Sequence, residues 1–295
     1  MKRAVVTTGT FDGVHIGHRK IIGRLNQIAE KVGGESVLLT FDPHPRMVLF
    51  PDDHGLELIT TIDEKIALLE ETGIDNLIIH PFNREFSRLS SLDFIRDVLV
   101  EKIGTSVLVI GYDHHFGRNR EGSFEHLRES GPLYGFSVEE ISVQDVDDVA
   151  VSSTKIRKAL QLGDLKTANK FLAHPFQITG TVVHGDKLGR EMGFPTANIQ
   201  INDPNKVVPA NGVYACYVLH GVQKLKGMLN IGTRPTVKGE EQRSEVNIFD
   251  LDEELYGKQI TLVLMDRIRD EKKFANFNEL RDRLSVDKKL ALQLL

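Results

Sequence analysis

The sequence contains a single cysteine, Cys216, which rules out an intramolecular disulfide and a Cys-based zinc site and fits a reducing compartment. It contains no stretch approaching the ~20 apolar residues of a membrane span. Its first residues, MKRAVVTTGTFDG, reach Thr7, Thr8 and Gly9 before a secretory-length apolar run develops. A cytoplasmic protein with no membrane partner is the expectation. Excess basic charge is also missing. The 37 Lys and Arg face 42 Asp and Glu, a formal net charge of -5, so nucleic acid is a poor candidate partner. A small basic pocket for phosphates remains compatible with that balance. There is no GxxxxGK[ST] run, so phosphoryl transfer here cannot use a Walker A loop. Internal repeats, low-complexity tracts and heptads are absent, and nothing marks an obligate protein partner.

What is present is enough for two domains. The 295 residues are 40% hydrophobic, ample for two cores at roughly 100–200 residues each. In the first half, short apolar runs (Ala4–Val6, Val37–Phe41, Leu77–Ile79, Val107–Ile110) alternate with amphipathic stretches. Ile21, Ile22, Leu25, Ile28, Ala29 and Val32 share one helical face. Thr61 with Glu64 forms a capping-box signature, Gly73 is a stop, and another helix spans 91–103 before Gly104. Alternating β and α elements predict a Rossmann-like parallel sheet covered on both faces. After about residue 174 the pattern changes. Strand-like segments at 177–184, 212–220, 225–231, 244–249 and 259–265, without intervening helices, predict an antiparallel β-barrel. A terminal helix over 277–294 is expected to pack through Phe277, Leu280, Leu284, Leu290 and Leu294. The domains are therefore placed at 1–174 and 175–295.

Chemistry concentrates in two places. Gly9-Thr10-Phe11-Asp12-Gly13-Val14-His15-Ile16-Gly17-His18 follows the first strand and opens the first helix. Its glycines permit a sharp turn and close approach to a ligand, and the helix N-terminus offers N–H groups to an anion. His15 and His18, three apart, face the same side and suit stabilising charge on a phosphoryl group in transfer. Val151-Ser152-Ser153-Thr154-Lys155-Ile156-Arg157 reads as a helix start whose Arg157 can fork onto phosphate oxygens. Phe41-Asp42-Pro43-His44-Pro45 reads as a rigid loop at the carboxyl end of a strand, more a pocket wall than a source of catalytic His44. In the second half, Gly180-Thr181-Val182-Val183-His184-Gly185-Asp186-Lys187-Leu188-Gly189-Arg190 runs into Gly193-Phe194-Pro195-Thr196-Ala197-Asn198. Thr196 and Asn198, two apart on an extended segment, point the same way and supply hard oxygen ligands of the kind Mg²⁺ accepts beside ATP phosphates.

The first constellation, with Gly111-Tyr112-Asp113 and Phe116-Gly117, resembles the HxGH nucleotidyltransferases, and specifically the adenylyltransferase half of prokaryotic-type bifunctional riboflavin kinase/FAD synthetases. The second, with Asn211-Gly212-Val213-Tyr214, Asn230-Ile231-Gly232-Thr233-Arg234-Pro235-Thr236, Glu245-Val246-Asn247-Ile248-Phe249-Asp250 and Leu255-Tyr256-Gly257-Lys258, resembles the riboflavin kinase half. The resemblance implies ATP-dependent conversion of riboflavin to FMN and of FMN to FAD, with Mg²⁺. It implies catalytic roles for His15, His18 and Arg157 in adenylyl transfer and a base role for Glu245 in the kinase. It further implies nucleotide or flavin contacts at Gly9, Phe11, Gly17, Asp113, Ser153, Thr154, Asp164, Gly185, Lys187, Gly189, Asn211 and Arg234, and metal ligation by Thr196 and Asn198. The pattern departs from the family at His114-His115, where an aromatic is more usual at 114. Three rivals are weighed. Another HxGH adenylyltransferase leaves the β-rich half unexplained. A class I aminoacyl-tRNA synthetase lacks support from chain length, charge or a KMSKS-like loop. A flavin carrier without chemistry would not require all of His15, His18, Arg157, Thr196, Asn198 and Glu245.

Overall fold

The computed structural model describes residues 2–52, 55–111, 116–118, 121–141, 151–185, 189, 193–236 and 239–295, apart from the side chains of 234–236 and 239–241. The chain divides into two compact units, one of residues 1–56 and 65–152 and the other of 57–64 and 153–295.

The first unit is a five-stranded parallel sheet of β1 (Ala4–Thr8), β2 (Glu35–Asp42), β3 (Asn76–Pro81), β4 (Thr105–Gly111) and β5 (Ser137–Ile141), in the order β3-β2-β1-β4-β5. All five residues of the central β1 are buried, as expected of a parallel strand covered on both faces. Val6 pairs with Val37 on one side and Leu108 on the other. The strand order reverses between β1 and β4, and the crevice beyond the carboxyl ends at such a switch point is where open α/β sheets bind ligands. Helix α1 (Ile16–Val32) buries Gly17, Ile22, Leu25, Ile28 and Ala29, with Ile21 and Val32 partly buried beside them, and ends on Gly33 at φ 61°. The short helix α2 (Pro45–Leu49) carries His44 as its cap, its Nδ1 accepting the Arg46 N–H at 3.2 Å. Helix α3 (Ile62–Glu70) opens with the anticipated reciprocal box: Thr61 N–H donates to Glu64 (3.0 Å), and Glu64 N–H donates to the Thr61 hydroxyl (3.3 Å).

Two features of this unit differ from the sequence expectation. The helix over 91–103 begins as α4 (Ser91–Asp93) and continues over Phe94–Ile103 in wider π-type hydrogen bonding, ending on Gly104. Its buried residues Phe94, Ile95, Val98, Leu99 and Ile103 recur at four- to five-residue intervals, which the wider winding keeps facing the sheet. Helix α5 (Phe124–Tyr134) and strand β5 were not anticipated. The helix contains Gly131 and Pro132, and only Ile141 of β5 is buried, so neither carries a strong apolar period.

The second unit is a closed six-stranded antiparallel barrel with β6 (Phe176–Val183), β7 (Ala197–Ile201), β8 (Gly212–His220), β9 (Gln223–Thr236), β10 (Gly239–Ile248) and β11 (Gln259–Asp270), in the order β10-β7-β6-β11-β8-β9. Strict alternation of burial along β6 marks inward and outward faces. Helices α6 (Ser153–Gln161) and α7 (Leu165–Leu172) belong to this unit. The 57–64 segment is held by Lys206, whose buried ammonium donates to the Ile59 carbonyl (2.6 Å) and pairs with the buried Glu64 carboxylate (2.5 Å). Glu64 also accepts the Thr179 N–H at 3.0 Å.

The terminal helix α8 (Phe277–Leu294) has the expected bounds but a different packing face. Phe277, Leu290 and Leu294 are exposed, while Leu284 packs on the cluster of Val213, Ala215, Met228 and Ala291. The docked stripe runs through 280, 284, 287 and 291, and one step along a helix turns a side chain 100° away. That stripe carries a charge: Asp287 is fully buried, its Oδ2 2.8 Å from Arg269 Nε and its Oδ1 2.9 Å from Arg283 Nε. Sequence reading by apolar letters passes over a buried aspartate.

Candidate active sites

In the first unit, β1 runs into α1 through the turn 9–15 at the switch point. The turn is backbone-strained: Phe11, Gly13 and Val14 have φ of 48°, 86° and 40°, and a left-handed β-branched Val14 is rare. Several bonds hold it. Gly9 N–H donates to the Leu39 carbonyl (3.0 Å), and Val14 N–H to the Phe11 carbonyl (3.1 Å). The Thr10 carbonyl accepts from the Thr40 hydroxyl (3.2 Å) and from Lys65 Nζ (3.1 Å).

His15 is the cap of α1, its Nδ1 accepting the His18 N–H at 3.3 Å. The two imidazoles stack, with centroids 3.6 Å apart and planes within 15°, and Phe11 meets His18 edge-on at 5.1 Å. Burial first, then the neighbouring His15 and Lys65, hold the His18 imidazole well below its ordinary titration range. His18 Nδ1 is buried without a hydrogen-bond partner. The first turn of α1 leaves the Ile16 and Gly17 N–H groups without intrahelical acceptors, so a pair of imidazoles and a helix N-terminus share one end of α1. Phe11 itself is buried in a core cluster with Val14, Ile22, Leu38, Leu68 and Leu69. Its ring therefore packs, and its backbone lines the turn.

Of the other residues singled out for adenylyl transfer, Asp113, with His114 and His115, lies outside the described residues. Ser153, Thr154 and Arg157 stand in the first turns of α6, where Arg157 Nε donates to the Glu57 carbonyl. Asp164 caps α7, accepting the Thr167 N–H at 3.1 Å, and its hydrogen bonds to Thr167 hold its carboxyl below the usual range.

The barrel gathers a second cluster. Asn198 on β7 pairs directly with Glu245 on β10, and Glu245 with Asn230 on β9. Residues opposite one another in a ladder share a face, and the buried Ser244 and Val246 flanking Glu245 point to the other face. This polar row therefore lies on the outer face of the barrel. Thr196 Oγ1 stands 3.4 Å from Glu245 Oε2. The buried Asn247 amide donates to the Pro195 carbonyl at 2.6 Å and anchors the segment carrying Thr196. Two glycines are needed for close packing. A Cβ on Gly185 would fall 1.9 Å from Asn198 Nδ2, and one on Gly189 would fall 2.3 Å from the Phe194 carbonyl and 3.2 Å from Thr196 Oγ1. Beside this cluster a cleft opens, floored by Val182, Val246 and Ile248 and bordered by Thr196, Leu255 and Tyr256. Tyr256 stacks on His184 at 3.9 Å.

Lys187 and the Arg234 side chain lie outside the described residues. Asn211 precedes β8, its amide donating to Glu271 (3.0 Å) and its carbonyl accepting from Arg267. Sequence reading missed Lys65, Asn247 and the Tyr256–His184 stack. Lys65 had a signal: it lies three and four residues before the buried Leu68 and Leu69, on the apolar stripe of α3.

The donor set suits Mg²⁺: the Thr196 hydroxyl and the Asn198 amide oxygen are hard oxygens two residues apart, with the Glu245 carboxylate beside them. Among the described residues no three His, Cys, Asp or Glu side chains cluster as a metal site, and no helix is long and apolar enough to cross a membrane.

The family model for FAD synthetase matches residues 1–155, and that for riboflavin kinase matches residues 172–295. The chain is 41% identical over 284 residues to the bifunctional riboflavin kinase/FMN adenylyltransferase of Escherichia coli (strain K12), covering 96% of this chain and 90% of that one. It is 39% identical over 296 residues to the protein of the same name from Bacillus subtilis (strain 168), covering 99% and 92%. A solved structure named as a macrolide-efflux protein from Streptococcus pneumoniae superposes with a TM-score of 0.87 at 32% identity, covering 98% of this chain and 94% of that one.

Proposed function

This chain belongs to the bifunctional riboflavin kinase/FMN adenylyltransferase family, and from that premise we propose how its residues divide the work. The protein phosphorylates riboflavin with ATP to give FMN and adenylylates FMN with ATP to give FAD. We assign adenylyl transfer to residues 1–174 and the kinase to 175–295, a cytoplasmic enzyme acting on free riboflavin, FMN and ATP.

In adenylyl transfer the nucleophile needs little help. The FMN phosphate has a second pKa near ~6, by analogy with other phosphomonoesters, and is largely dianionic at neutral pH. One of its oxygens bonds to the α-phosphorus of ATP, the α–β bridging bond breaks, and pyrophosphate leaves. Alignment and charge stabilisation are then the protein's task. His15, His18 and the N–H groups opening α1 supply them, with Gly9 and Gly17 giving the backbone room and Phe11 fixing the turn. Neutral His18 offers hydrogen bonding without adding fixed charge, and its buried Nδ1 has no hydrogen-bond partner within the protein. Ser153, Thr154 and Arg157 are assigned to phosphate, and Asp113 and Asp164 to substrate binding, on residue type and resemblance.

In the kinase the riboflavin 5′-hydroxyl is a weak nucleophile. Glu245 accepts its proton as the oxygen attacks the γ-phosphorus and ADP leaves. Thr196 and Asn198, with Glu245 adjoining, would hold Mg²⁺, which when bound neutralises phosphate charge. Gly185 and Gly189, with Lys187, form the segment assigned to ATP, while Asn211 and Arg234 are assigned to ligand contact.

The observation that carries this reading is the Asn198–Glu245 cross-strand pair with Thr196 beside it, an oxygen donor set and a base on one face. The test is a time course with riboflavin, ATP and Mg²⁺, resolving riboflavin, FMN and FAD by chromatography. FMN preceding FAD is expected in the parent chain, and retention of parent FMN formation by a Thr196→Ala, Asn198→Ala double variant would remove the kinase assignment.

A further inference from the structure

Lys65 is the one buried lysine in the first unit's described residues, and the FAD-forming chemistry described above does not use it. Its ammonium does not sit in an apolar packing gap. It donates to the Thr10 carbonyl at 3.1 Å and approaches the Thr40 hydroxyl at 3.5 Å. Thr40 in turn donates to the same carbonyl at 3.2 Å. Thr10 is the residue immediately before the left-handed Phe11, and the turn reaches His15 within five residues. A strained turn persists only where its surroundings over-determine it, and two donors converging on one carbonyl do so here.

Burial pushes the Lys65 ammonium below its ordinary range, while Asp12 on the turn and Asp42 at the end of β2 favour its charged form. Burial first, then His15 and last Lys65, oppose protonation of His18. One buried side chain thus fixes the turn that carries the stacked imidazoles.

We propose that Lys65 is a positioning residue for adenylyl transfer: through the Thr10 carbonyl it holds the 9–15 turn in the shape that presents His15, His18 and the α1 N-terminus to the phosphates. This rests on the assignment of adenylyl transfer to that turn. Lys65 itself touches no reacting atom. A mere packing role would be met by an uncharged side chain of equal length, so Lys65→Met separates the two.

The experiment uses the full-length chain with FMN, ATP and Mg²⁺ for FAD formation, and with riboflavin, ATP and Mg²⁺ for FMN formation. Lys65→Met is expected to lower kcat for FAD formation about 10- to 100-fold with less change in KM for FMN, and to leave FMN formation within about twofold of the parent. In the same variant the amide resonances of the five-stranded sheet are expected to stay in place. Thr40→Val removes one donor to Thr10 and keeps the cation. It is expected to slow FAD formation about 3- to 10-fold, and this holds the proposal open to refutation should Lys65→Met fail to fold. Parent FAD turnover in either variant overturns the proposal, as does a loss in Lys65→Met confined to KM for FMN. If His18→Ala also retains parent FAD turnover, the site assignment itself falls; if only Lys65→Met does, the assignment stands and the positioning role is gone.

Discussion

At the scale of single residues, what matters is the pairing each side chain finds. Glu245 alternates with buried Ser244 and Val246 and so faces outward beside Asn198 and Thr196. Glu245→Gln keeps the shape and removes the proposed proton acceptor. FMN formation from riboflavin is expected to fall about 10²- to 10⁴-fold, while FAD formation from supplied FMN stays at the parent rate, both read by chromatography. FMN formation at the parent rate would place the base elsewhere. His18 gives a pH prediction. Its folded-state titration lies below the unfolded value of about 6.5, so the unfolded chain binds the proton more readily. The stability that neutral His18 contributes is complete above about pH 6.5 and is lost as pH falls through that value toward the folded titration. Thermal unfolding of the first unit followed from pH 7.5 to 5.5 is expected to lose more stability in the parent than in His18→Gln. Equal slopes would contradict the buried neutral imidazole. Cys216, buried and pushed up to about 12 by that burial, packs the barrel and is expected to take no part in either reaction.

At the scale of elements, α1 and α8 show how far a periodic pattern carries. The apolar repeat of α1 is unbroken, so its buried face agrees with the letters. In α8 the apolar letters mislead by one position, because the docked stripe is completed by Asp287 and its two arginine partners. Asp287→Ala leaves Arg269 and Arg283 without their shared carboxylate and is expected to cost the barrel about 3 kcal/mol, toward the lower end for a broken buried pair because Arg283 is part exposed. Leu290→Ala, at an exposed position, is expected to cost less than about 1 kcal/mol. Urea unfolding of the barrel unit compares the two, and a larger loss at Leu290 would reverse the docking face. Strand β7 belongs to this scale too. Its five residues are short and only Ile199 is buried, so periodicity does not announce it, yet its pairing with β10 sets Asn198 beside Glu245.

At the scale of the whole molecule, two units each carry one cluster, and FMN is the product of one activity and the substrate of the other. His18→Ala is expected to lose about 2–4 kcal/mol of transition-state stabilisation for FAD formation, as for loss of a donor to a developing charge, and to accumulate FMN from riboflavin. Mixing His18→Ala with Glu245→Gln protein is then expected to restore riboflavin-to-FAD conversion, because FMN released by one chain feeds the other. A mixture that yields no FAD, from partners each active in its own half-reaction, would show that FMN does not pass through solution.

The sequence by itself determined the two-unit plan, the parallel sheet followed by an antiparallel barrel, the turn with His15 and His18, and the segment with Thr196 and Asn198. Those signals are local: alternating apolar runs, a capping box, glycines and hydroxyls at short spacing. Tertiary structure alone decided that Asn198 pairs with Glu245 across a ladder, that Asn247 anchors Pro195, that Lys65 and Thr40 meet on the Thr10 carbonyl, and that Asp287 rather than Leu290 faces the barrel. Each of these draws on a partner between 18 and 55 positions away, brought in by strand register and helix docking, although Asp287 also has Arg283 four residues before it. A buried charge is tolerated only where its partners arrive, and no local pattern records the distant ones.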